Sequence, residues 1–190
     1  IQKPVHVGLL DELGGGIAQS EEAAQSEAVA APDTQEQEKE KEPEVAPEPD
    51  PPVIESIWVY SWNDDGMDHP ELVDLLVDGD KETLWYSRYY DVNEFSEDST
   101  ISLLVNLEKK TVVSEIILDV QGSGGEVVIR KASGENPRSG EILATSTTDG
   151  KTTIKLPKAT NMSRIGINFN ELPTDYEGLY RAQVAELTIK

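Results

Sequence analysis

The hydrophobic and polar positions divide the chain into two unlike parts. From Val53 onward, short runs rich in β-branched residues are separated by turn signals such as residues 63–66 (NDDG) and 122–125 (GSGG). Runs of this kind are typical of strands in an antiparallel sheet. The predicted strands are residues 54–60, 100–107, 112–120, 126–131, 141–146, 151–156, 164–169 and 183–189. About eight strands favour an all-β antiparallel sandwich of two sheets packed face to face.

One segment departs from the strand pattern. Residues 70–77 (PELVDLLV) begin with proline and have apolar residues at positions 72, 73, 75, 76 and 77, which predicts one or two turns of helix. The next residues, 78–80 (DGD), predict a tight turn. Trp85 follows this turn, and an indole in such a position typically fills the end of a sandwich core.

The first 52 residues lack the side chains that a core needs. All Trp, Tyr and Phe residues follow position 52, and residues 36–52 (EQEKEKEPEVAPEPDPP) alternate charge with proline. Such a segment cannot bury enough apolar surface to offset the cost of ordering its backbone, roughly 1–2 kcal/mol per residue. The sequence therefore predicts a disordered acidic Pro/Glu-rich linker over residues 1–52 and one domain over residues 53–190.

Charge and composition exclude several classes of function. The formal net charge is −21 and both parts of the chain are acidic, so phosphate backbones and anionic membrane surfaces repel the protein and nucleic acid is not an expected partner. Divalent cations remain compatible with this charge. The chain contains no cysteine, which excludes disulfides, thiol chemistry and cysteine zinc sites.

Motifs of catalysis are missing from the sequence. The two histidines, His6 and His69, have no partners at a recognisable spacing, and there is no HExxH motif, no P-loop and no Ser/His/Asp arrangement. The glycines of residues 122–125 lie between two predicted strands, so they do not form a phosphate-binding turn before a helix. We predict that the protein is not an enzyme.

A motif and two strand patterns carry a resemblance to a known family. Residues 77–85 (VDGDKETLW) have the form apolar-D-G-D-x-x-T-x-W, which resembles the signature of discoidin-like jelly rolls, the group of F5/8 type C domains and family 32 carbohydrate-binding modules. Residues 101–107 and 111–118 are similar to a strand pair of that family, and residues 184–189 (VAELTI) are similar to its closing strand. The resemblance covers residues 53–190 and implies a galactose-binding-like jelly roll.

A narrower resemblance concerns actinobacterial MviN/MurJ-type lipid II flippases. Residues 83–89 (TLWYSRY), Phe95, residues 125–130 (GEVVIR) and residues 180–186 (YRAQVAE) are similar to the C-terminal extracellular domain of those membrane proteins. The resemblance implies a membrane-anchored parent chain upstream of residue 1, a linker equivalent to residues 1–52, and a location on the extracellular face of the membrane. Residues 95–98 (FSED) depart from the glycine-rich stretch that the family has there.

The DGD turn is a candidate calcium site. Calcium binds six to eight oxygens, and Asp78, Asp80 and Thr83 have a spacing that can supply carboxylate, hydroxyl and carbonyl oxygens. In discoidin-like domains a glutamate of the last strand lies beside this turn, and the resemblance assigns that place to Glu186. The alternative is a metal-free turn, in which Asp78 caps an Asx turn, Gly79 supplies a positive φ and Thr83 hydrogen-bonds locally.

Candidate ligand-binding residues cluster in the predicted loops at one end of the sandwich. Aromatic rings stack on sugar rings, and an arginine offers forked donors to carboxylate or phosphate. The candidates are Trp62, Arg88, Tyr89, Tyr90 and Phe95. The alternative is that half of these residues pack in the core or at its rim, since scattered surface aromatics are ordinary.

Three functions are compatible with this sequence. The first is a non-catalytic extracellular module of a flippase-like protein that binds a glycan or a peptidoglycan precursor. The second is a protein-docking or spacer domain of the same parent without a sugar site. The third is a glycan-binding module detached from a glycoside hydrolase. Because one sandwich fold hosts many functions, the fold alone does not choose among them.

Overall fold

The computed structural model describes residues 50–190, which form one domain. The prediction of a linker over residues 1–52 lies almost entirely outside the described residues. The domain contains one 3₁₀ helix and five strands. The elements are β1 (Ile54–Tyr60), the 3₁₀ helix (Pro70–Val77), β2 (Trp85–Tyr86), β3 (Ile101–Ser133), β4 (Asn136–Glu171) and β5 (Gln183–Ile189).

All five strands belong to one curled antiparallel sheet. The order along the sheet is β1-β3-β5-β2, and β4 pairs with β3. Residues 101–106 of β3 pair with residues 164–169 of β4, whereas residues 126–131 of β3 pair with both 165–171 and 141–147. Because one strand pairs with several parts of its partner, the sheet bends back over itself and encloses a core. The predicted all-β antiparallel jelly roll is confirmed.

The number of strands differs from the prediction. The three strands predicted within residues 100–131 are parts of the continuous β3, and the three predicted within residues 141–169 are parts of β4. The sheet changes register at the connecting residues, and those of residues 122–125 include three glycines with a positive φ. Gly122 shows how closely the chains approach: its φ is +99, and a Cβ there would lie 3.0 Å from the carbonyl carbon of Thr174. The sequence pattern did not predict β2, which has only two residues.

The core lies between the curled halves of the sheet. Alternate residues of β3, such as Ile101, Leu103 and Val105, are fully buried and face the core together with Ile167 and Phe169 of β4. Each such side chain stabilises the fold by about 1.5–3 kcal/mol relative to an exposed one. Ser102 and Leu104, on the other face of this strand, are buried as well, so both faces of the strand are covered here.

The 3₁₀ helix closes one side of the core. Pro70 stands at its beginning, where no backbone N–H is needed, and Leu76 is its fully buried residue. Trp85 lies beside it, fully buried, with its ring centroid 6.2 Å from that of Phe169. The prediction that Trp85 is a core residue is therefore confirmed. Within residues 50–190, no helix has the length and hydropathy that a membrane span needs.

The first and last strands are anchored to neighbouring parts of β3. The backbone N–H of Glu108 donates to the carbonyl of Val53 over 3.0 Å, just before β1. At the far end of the chain, Lys190 and Glu115 exchange two backbone hydrogen bonds of 2.9 and 3.0 Å. The start of β1 and the end of β5 therefore lie at the same end of the sheet.

Candidate functional site

A buried carboxylate organises the loops that follow β1 and β2. Asp68 is fully buried, and its Oδ1 accepts from the backbone N–H of Arg88 over 3.1 Å. The hydroxyl of Tyr90 donates to the same carboxylate over 2.9 Å, and the indole N–H of Trp85 donates to the Asp68 carbonyl over 3.1 Å. One aspartate therefore joins the loop of residues 61–69 to that of residues 86–95.

The charge of Arg88 is compensated by carboxylates within this network. Its guanidinium donates to both oxygens of Asp65 and to Oδ2 of Asp68, the latter over 3.3 Å. The hydrogen bond to Asp65 raises the pKa of Arg88, and the same bond lowers the pKa of Asp65 to about 2. The guanidinium also lies 5.8 Å from the ring centroid of Tyr90. The pKa of the Tyr90 hydroxyl is raised, mainly by burial. Arg88 is consequently a structural residue of the loops.

The lowered pKa of Asp65 predicts a specific dependence on pH. A carboxyl whose folded pKa lies below its usual 3.8 stabilises the fold above that value, and the contribution disappears as the pH falls through about 2. We expect an NMR titration of the side-chain carboxyl to give a midpoint near 2 for Asp65, and Asp65→Asn to remove part of the stability lost on acidification. A midpoint near 3.8 would show that the pair with Arg88 does not form in solution.

A second arginine lies at the surface between two tyrosines. The Arg181 guanidinium carbon lies 4.2 Å from the ring centroid of Tyr89 and 5.1 Å from that of Tyr86. We call these three residues the tyrosine–arginine stack. The nearest carboxylate to Arg181 is that of Asp175, with Nε and Oδ2 separated by 3.7 Å. The contact is looser than those of Arg88. The side-chain amide oxygen of Gln183 accepts from Nε and Nη2 of Arg181, which leaves Nη1 for a further acceptor.

The stack forms the wall of two adjoining cavities. One has a volume of about 590 Å³ and is also lined by Met67, His69 and Arg88. The other has about 310 Å³, and its lining includes Tyr176 and Glu177 on the far side of Arg181. Tyr89 is 43% exposed and Tyr176 is 86% exposed, so both cavities offer aromatic surface to solvent. This arrangement can hold a ring-shaped ligand with one apolar face and a polar rim.

Loop residues 175–179 are held by the carboxylate of Asp175. Its Oδ1 accepts from the backbone N–H groups of Glu177 and Leu179, each over 2.9 Å. Backbone hydrogen bonds between Tyr90 and Tyr180 and between Ser87 and Ala182 tie this loop to residues 86–95. The tyrosine–arginine stack thus rests on backbone that is fixed on both sides.

Several solved structures that are similar to this domain are carbohydrate-binding modules. The family 32 module of AlyQ in complex with 4,5-unsaturated mannuronic acid matches with a TM-score of 0.53 and 15% identity over 73% of this chain and 97% of that chain. The family 32 module of NanJ from C. perfringens, in complex with galactose, matches with a TM-score of 0.50 and 21% identity over 70% and 91%. The chain has the fold of a family 32 carbohydrate-binding module. A pectin-binding carbohydrate-binding module matches similarly, with a TM-score of 0.51 and 14% identity over 73% and 91%.

These identities show the fold alone, and no family model matches the chain. The discoidin-like resemblance noted from residues 77–85 is thereby supported at the level of the fold. The comparisons do not address the flippase resemblance. The fold does not identify a ligand, so the side chains of this protein must indicate what it binds.

The five candidate ligand residues differ in their exposure and in the side chains that they contact. Tyr89 lines both cavities and Arg88 lines the larger one, although its guanidinium is already paired. Tyr90 and Phe95 pack edge to face with centroids 5.1 Å apart, partly buried against the core. Trp62 is 62% exposed and does not line either cavity. The alternative that about half of these residues are packing residues therefore fits the observed contacts.

The sequence reasoning missed the residues that complete the site. Tyr86 and Arg181 form the stack with Tyr89, and Asp68 holds the loops, yet none of these was proposed as a site residue. Arg181 lies almost a hundred residues after Tyr89, so no local motif joins them. The only sequence signal was the alternation of aromatic and basic residues in residues 85–90 and 180–181.

The predicted calcium ligands surround one turn after the 3₁₀ helix. Asp78 accepts from the N–H of Asp80 and the hydroxyl of Thr83, each over 2.8 Å, while Glu186 accepts from the N–H of Gly79 over 3.2 Å. Gly79 has a φ of +79, as the metal-free alternative expected. Within residues 50–190, no three acidic or histidine side chains converge closely enough to hold a metal unaided. Burial is the main cause of the raised pKa of Glu186, and the charge of Asp78 adds to it.

Proposed function

We propose that residues 50–190 form a non-catalytic glycan-binding module whose ligand meets the tyrosine–arginine stack. The observation that carries this proposal is the exposed ring of Tyr89 beside Arg181, at the boundary of two cavities in a fixed set of loops. Similar solved structures are carbohydrate-binding modules, which supports the choice of a glycan over other small molecules.

The chemistry of the stack suits a sugar ring. A pyranose has an apolar face of C–H groups that packs on an aromatic ring, while its hydroxyls need donors and acceptors at the rim. Arg181 supplies donors, and Glu177 and Glu71 supply carboxylate acceptors around the two cavities. Arg181 takes the role that the sequence suggested for Arg88, because Arg88 is neutralised by Asp65 and Asp68.

A glycan titration followed by NMR tests the proposal. We expect muropeptides, galactosides or uronic-acid oligosaccharides to shift the backbone resonances of Tyr86, Tyr89 and Arg181. Tyr89→Ala should weaken binding at least tenfold, a loss of about 1.4 kcal/mol. The control is Val92→Ala, which removes an exposed side chain of the same loop that lines neither cavity. Absence of shifts at millimolar glycan would remove the basis of the proposal.

We further propose that the module belongs to the extracellular part of a MviN/MurJ-type flippase and binds a cell-wall glycan or peptidoglycan precursor at the cell surface. The support is the resemblance of residues 83–89, 125–130 and 180–186, together with the acidic composition of residues 1–52. The sequence of the parent protein upstream of Ile1 tests this. Transmembrane helices would support it, whereas a glycoside hydrolase domain would favour a module of a secreted enzyme.

Protein docking is the alternative function for the same loops. Trp62 and Met67 are 62% and 57% exposed, and both lie in the loop that follows β1. Apolar side chains at such exposure can anchor a protein partner. Weak glycan binding combined with strong binding of a protein through Trp62 would favour this alternative.

Calcium remains a proposal for the DGD turn. Asp78, Asp80, Thr83 and Glu186 carry the oxygen ligands that Ca²⁺ prefers. Binding would require their three carboxylates to move closer together than they lie in the hydrogen-bonded turn. A cation there would offset the charge of Asp78, which adds to burial in raising the pKa of Glu186. When bound, the ion would stabilise the turn and play no part in chemistry.

Thermal unfolding with and without calcium checks this proposal. A bound ion stabilises by about 2.7 kcal/mol at a hundredfold excess over Kd, which should raise Tm by roughly 5–10 °C between EDTA and millimolar calcium. We expect Asp78→Ala or Glu186→Ala to abolish the rise, and Asp74→Ala on the preceding helix to retain it. Equal Tm values in EDTA and calcium would mean that hydrogen bonds alone hold the turn.

A further inference from the structure

The outer face of the sheet has a second concavity, of about 360 Å³. It shares no lining residue with the two cavities at the tyrosine–arginine stack. A volume of this size falls in the range of about 300–1,000 Å³ that small-ligand pockets occupy. The lining residues are Glu55, Ser56, Trp58, Tyr60, Leu104, Asn106, Glu135 and Arg164.

Strand register places these side chains on one surface. Ser56, Trp58 and Tyr60 alternate along β1 on the side opposite to the core residue Ile57. Trp58 stands opposite Leu104 of β3, and Ser56 stands opposite Asn106. The next pairing along the sheet sets Asn106 opposite Arg164 of β4. The floor of the concavity is therefore built by three adjacent strands.

The hairpin that joins β3 to β4 forms a raised wall. Gly166 of β4 has no side chain, and a Cβ there would lie 2.9 Å from the carbonyl carbon of Pro137, so the hairpin packs directly on the sheet. Arg138 fastens it by donating to the carbonyl of Thr100 over 2.6 Å and to that of Tyr60 over 3.3 Å. Glu135, at the tip of this hairpin, thus faces Trp58 and Tyr60 across the concavity.

A row of polar groups is already aligned along the floor. Arg164 Nε donates to Asn106 Oδ1 over 3.2 Å, and Asn106 Nδ2 donates to Ser56 Oγ over 3.0 Å. The bond from Nε fixes the plane of the guanidinium. Its two Nη groups make no hydrogen bond or ion pair to any of residues 50–190, so they remain available to a ligand. Preorganised donors of this kind lose little entropy when a ligand binds.

Trp58 gives the concavity its apolar surface. Its side chain is 58% exposed in the middle of an edge strand, although an indole gains free energy when it leaves water. The Glu135 carboxylate, which is an acceptor, and the Arg164 guanidinium, which is a donor, lie around this ring. One apolar platform bordered by separate donors and acceptors matches a pyranose, whose C–H face is apolar and whose hydroxyls point outward.

We infer that this concavity is a second saccharide-binding site, with Trp58 as its stacking platform and Glu135, Arg164 and Asn106 as hydroxyl partners. The inference stands independently of the site at the tyrosine–arginine stack. A glycan long enough to reach both sites would bind the second one at a high effective concentration. Polysaccharides should therefore bind more tightly than short oligosaccharides of the same repeating unit.

NMR titration separates the two sites, because each is reported by its own backbone resonances. The probes are galactose, galacturonic-acid and N-acetylglucosamine oligosaccharides and soluble muropeptides, each to about 10 mM. We expect at least one to shift the resonances of Ser56, Asn106 and Arg164. Trp58→Ala should raise at least tenfold the Kd obtained from these resonances and leave the shifts of Tyr86 and Arg181 unchanged. Tyr89→Ala should weaken binding at the stack and leave the Kd at the sheet face unchanged.

Two further variants control for loss of structure. Glu135→Gln keeps the shape of the wall and should weaken binding about threefold to tenfold, since a neutral amide is a poorer hydroxyl acceptor. Val112→Ala, an exposed change on β3 outside the concavity, should bind as the unaltered protein does. The inference is overturned if no probe shifts the sheet-face resonances, or if Trp58→Ala binds with unchanged affinity. Shifts confined to the sheet face would instead refute the proposal for the stack.

Discussion

Replacing Asp68 with alanine is expected to destabilise the domain by about 3–5 kcal/mol, the cost of removing one partner from a buried charged network. The fully buried carboxylate accepts from the Arg88 backbone, the Arg88 guanidinium and the Tyr90 hydroxyl. Without it, the Tyr90 hydroxyl and the Arg88 N–H lose their partners at partly buried positions. Loosening of residues 86–95 should accompany the loss.

Urea unfolding followed by circular dichroism measures this effect. The matched control is Asp74→Ala on the exposed side of the 3₁₀ helix, which should change the free energy of unfolding by no more than about 0.5 kcal/mol. Hydrogen exchange should show faster opening at the backbone N–H of Tyr90, which donates to the Tyr180 carbonyl over 2.9 Å. A loss below 1 kcal/mol for Asp68→Ala would mean that the network contributes little to stability.

Replacing Trp85 with alanine should cost a similar amount, about 3–5 kcal/mol, for a different reason. The indole is fully buried beside Phe169, and its removal leaves a cavity at the end of the core. Trp85→Phe separates the packing from the hydrogen bond. It keeps an aromatic ring but leaves the Asp68 carbonyl without the indole N–H, which should cost about 1–3 kcal/mol.

The comparison requires an exposed tryptophan as control. Trp62→Ala removes a side chain that is 62% exposed and should change the free energy of unfolding by about 0.5 kcal/mol or less. The same urea titrations serve for all three variants. If Trp85→Phe were as unstable as Trp85→Ala, the indole N–H would be the main contribution and the packing term would be small.

Strand positions could be predicted because the strands are short runs rich in β-branched residues, separated by turn signals. Ile101, Leu103 and Val105 alternate toward the core, and the stretch from Ile54 to Tyr60 became β1 as expected. What the sequence could not show was how the register of the sheet shifts between the predicted strands. Register shifts around residues 119–126 depend on contacts with residues 171–174, which are distant in the chain. Local patterns carry no information about such pairings.

The site was harder to predict than the fold because charge pairing is a property of three dimensions. Arg88 and Arg181 look equivalent in sequence, since each adjoins tyrosines. The structure surrounds Arg88 with two aspartates and leaves Arg181 between two aromatic rings. The loop of residues 61–69 contains three aspartates, and nothing in the local sequence marks Asp68 as the buried one.

The DGD turn shows the opposite case. Its internal hydrogen bonds, from Asp80 N–H and the Thr83 hydroxyl to Asp78, follow from residues at most five positions apart, so the local geometry could be predicted. Glu186 could be assigned to the turn only through the discoidin-like resemblance, because it lies on β5, more than a hundred residues later. Sequence patterns thus predict short-range contacts well and long-range ones only by analogy.

The shared location of the start of β1 and the end of β5 has a practical consequence. Both are anchored next to residues 108–115 of β3, while the tyrosine–arginine stack lies where β1 ends and β5 begins. A biotin, a fluorescent protein or a biosensor chip coupled at either terminus of the domain would therefore be separated from the stack by the length of the sandwich. The domain can be immobilised through either terminus, or inserted into a loop of a host protein, with the tyrosine–arginine stack facing outward.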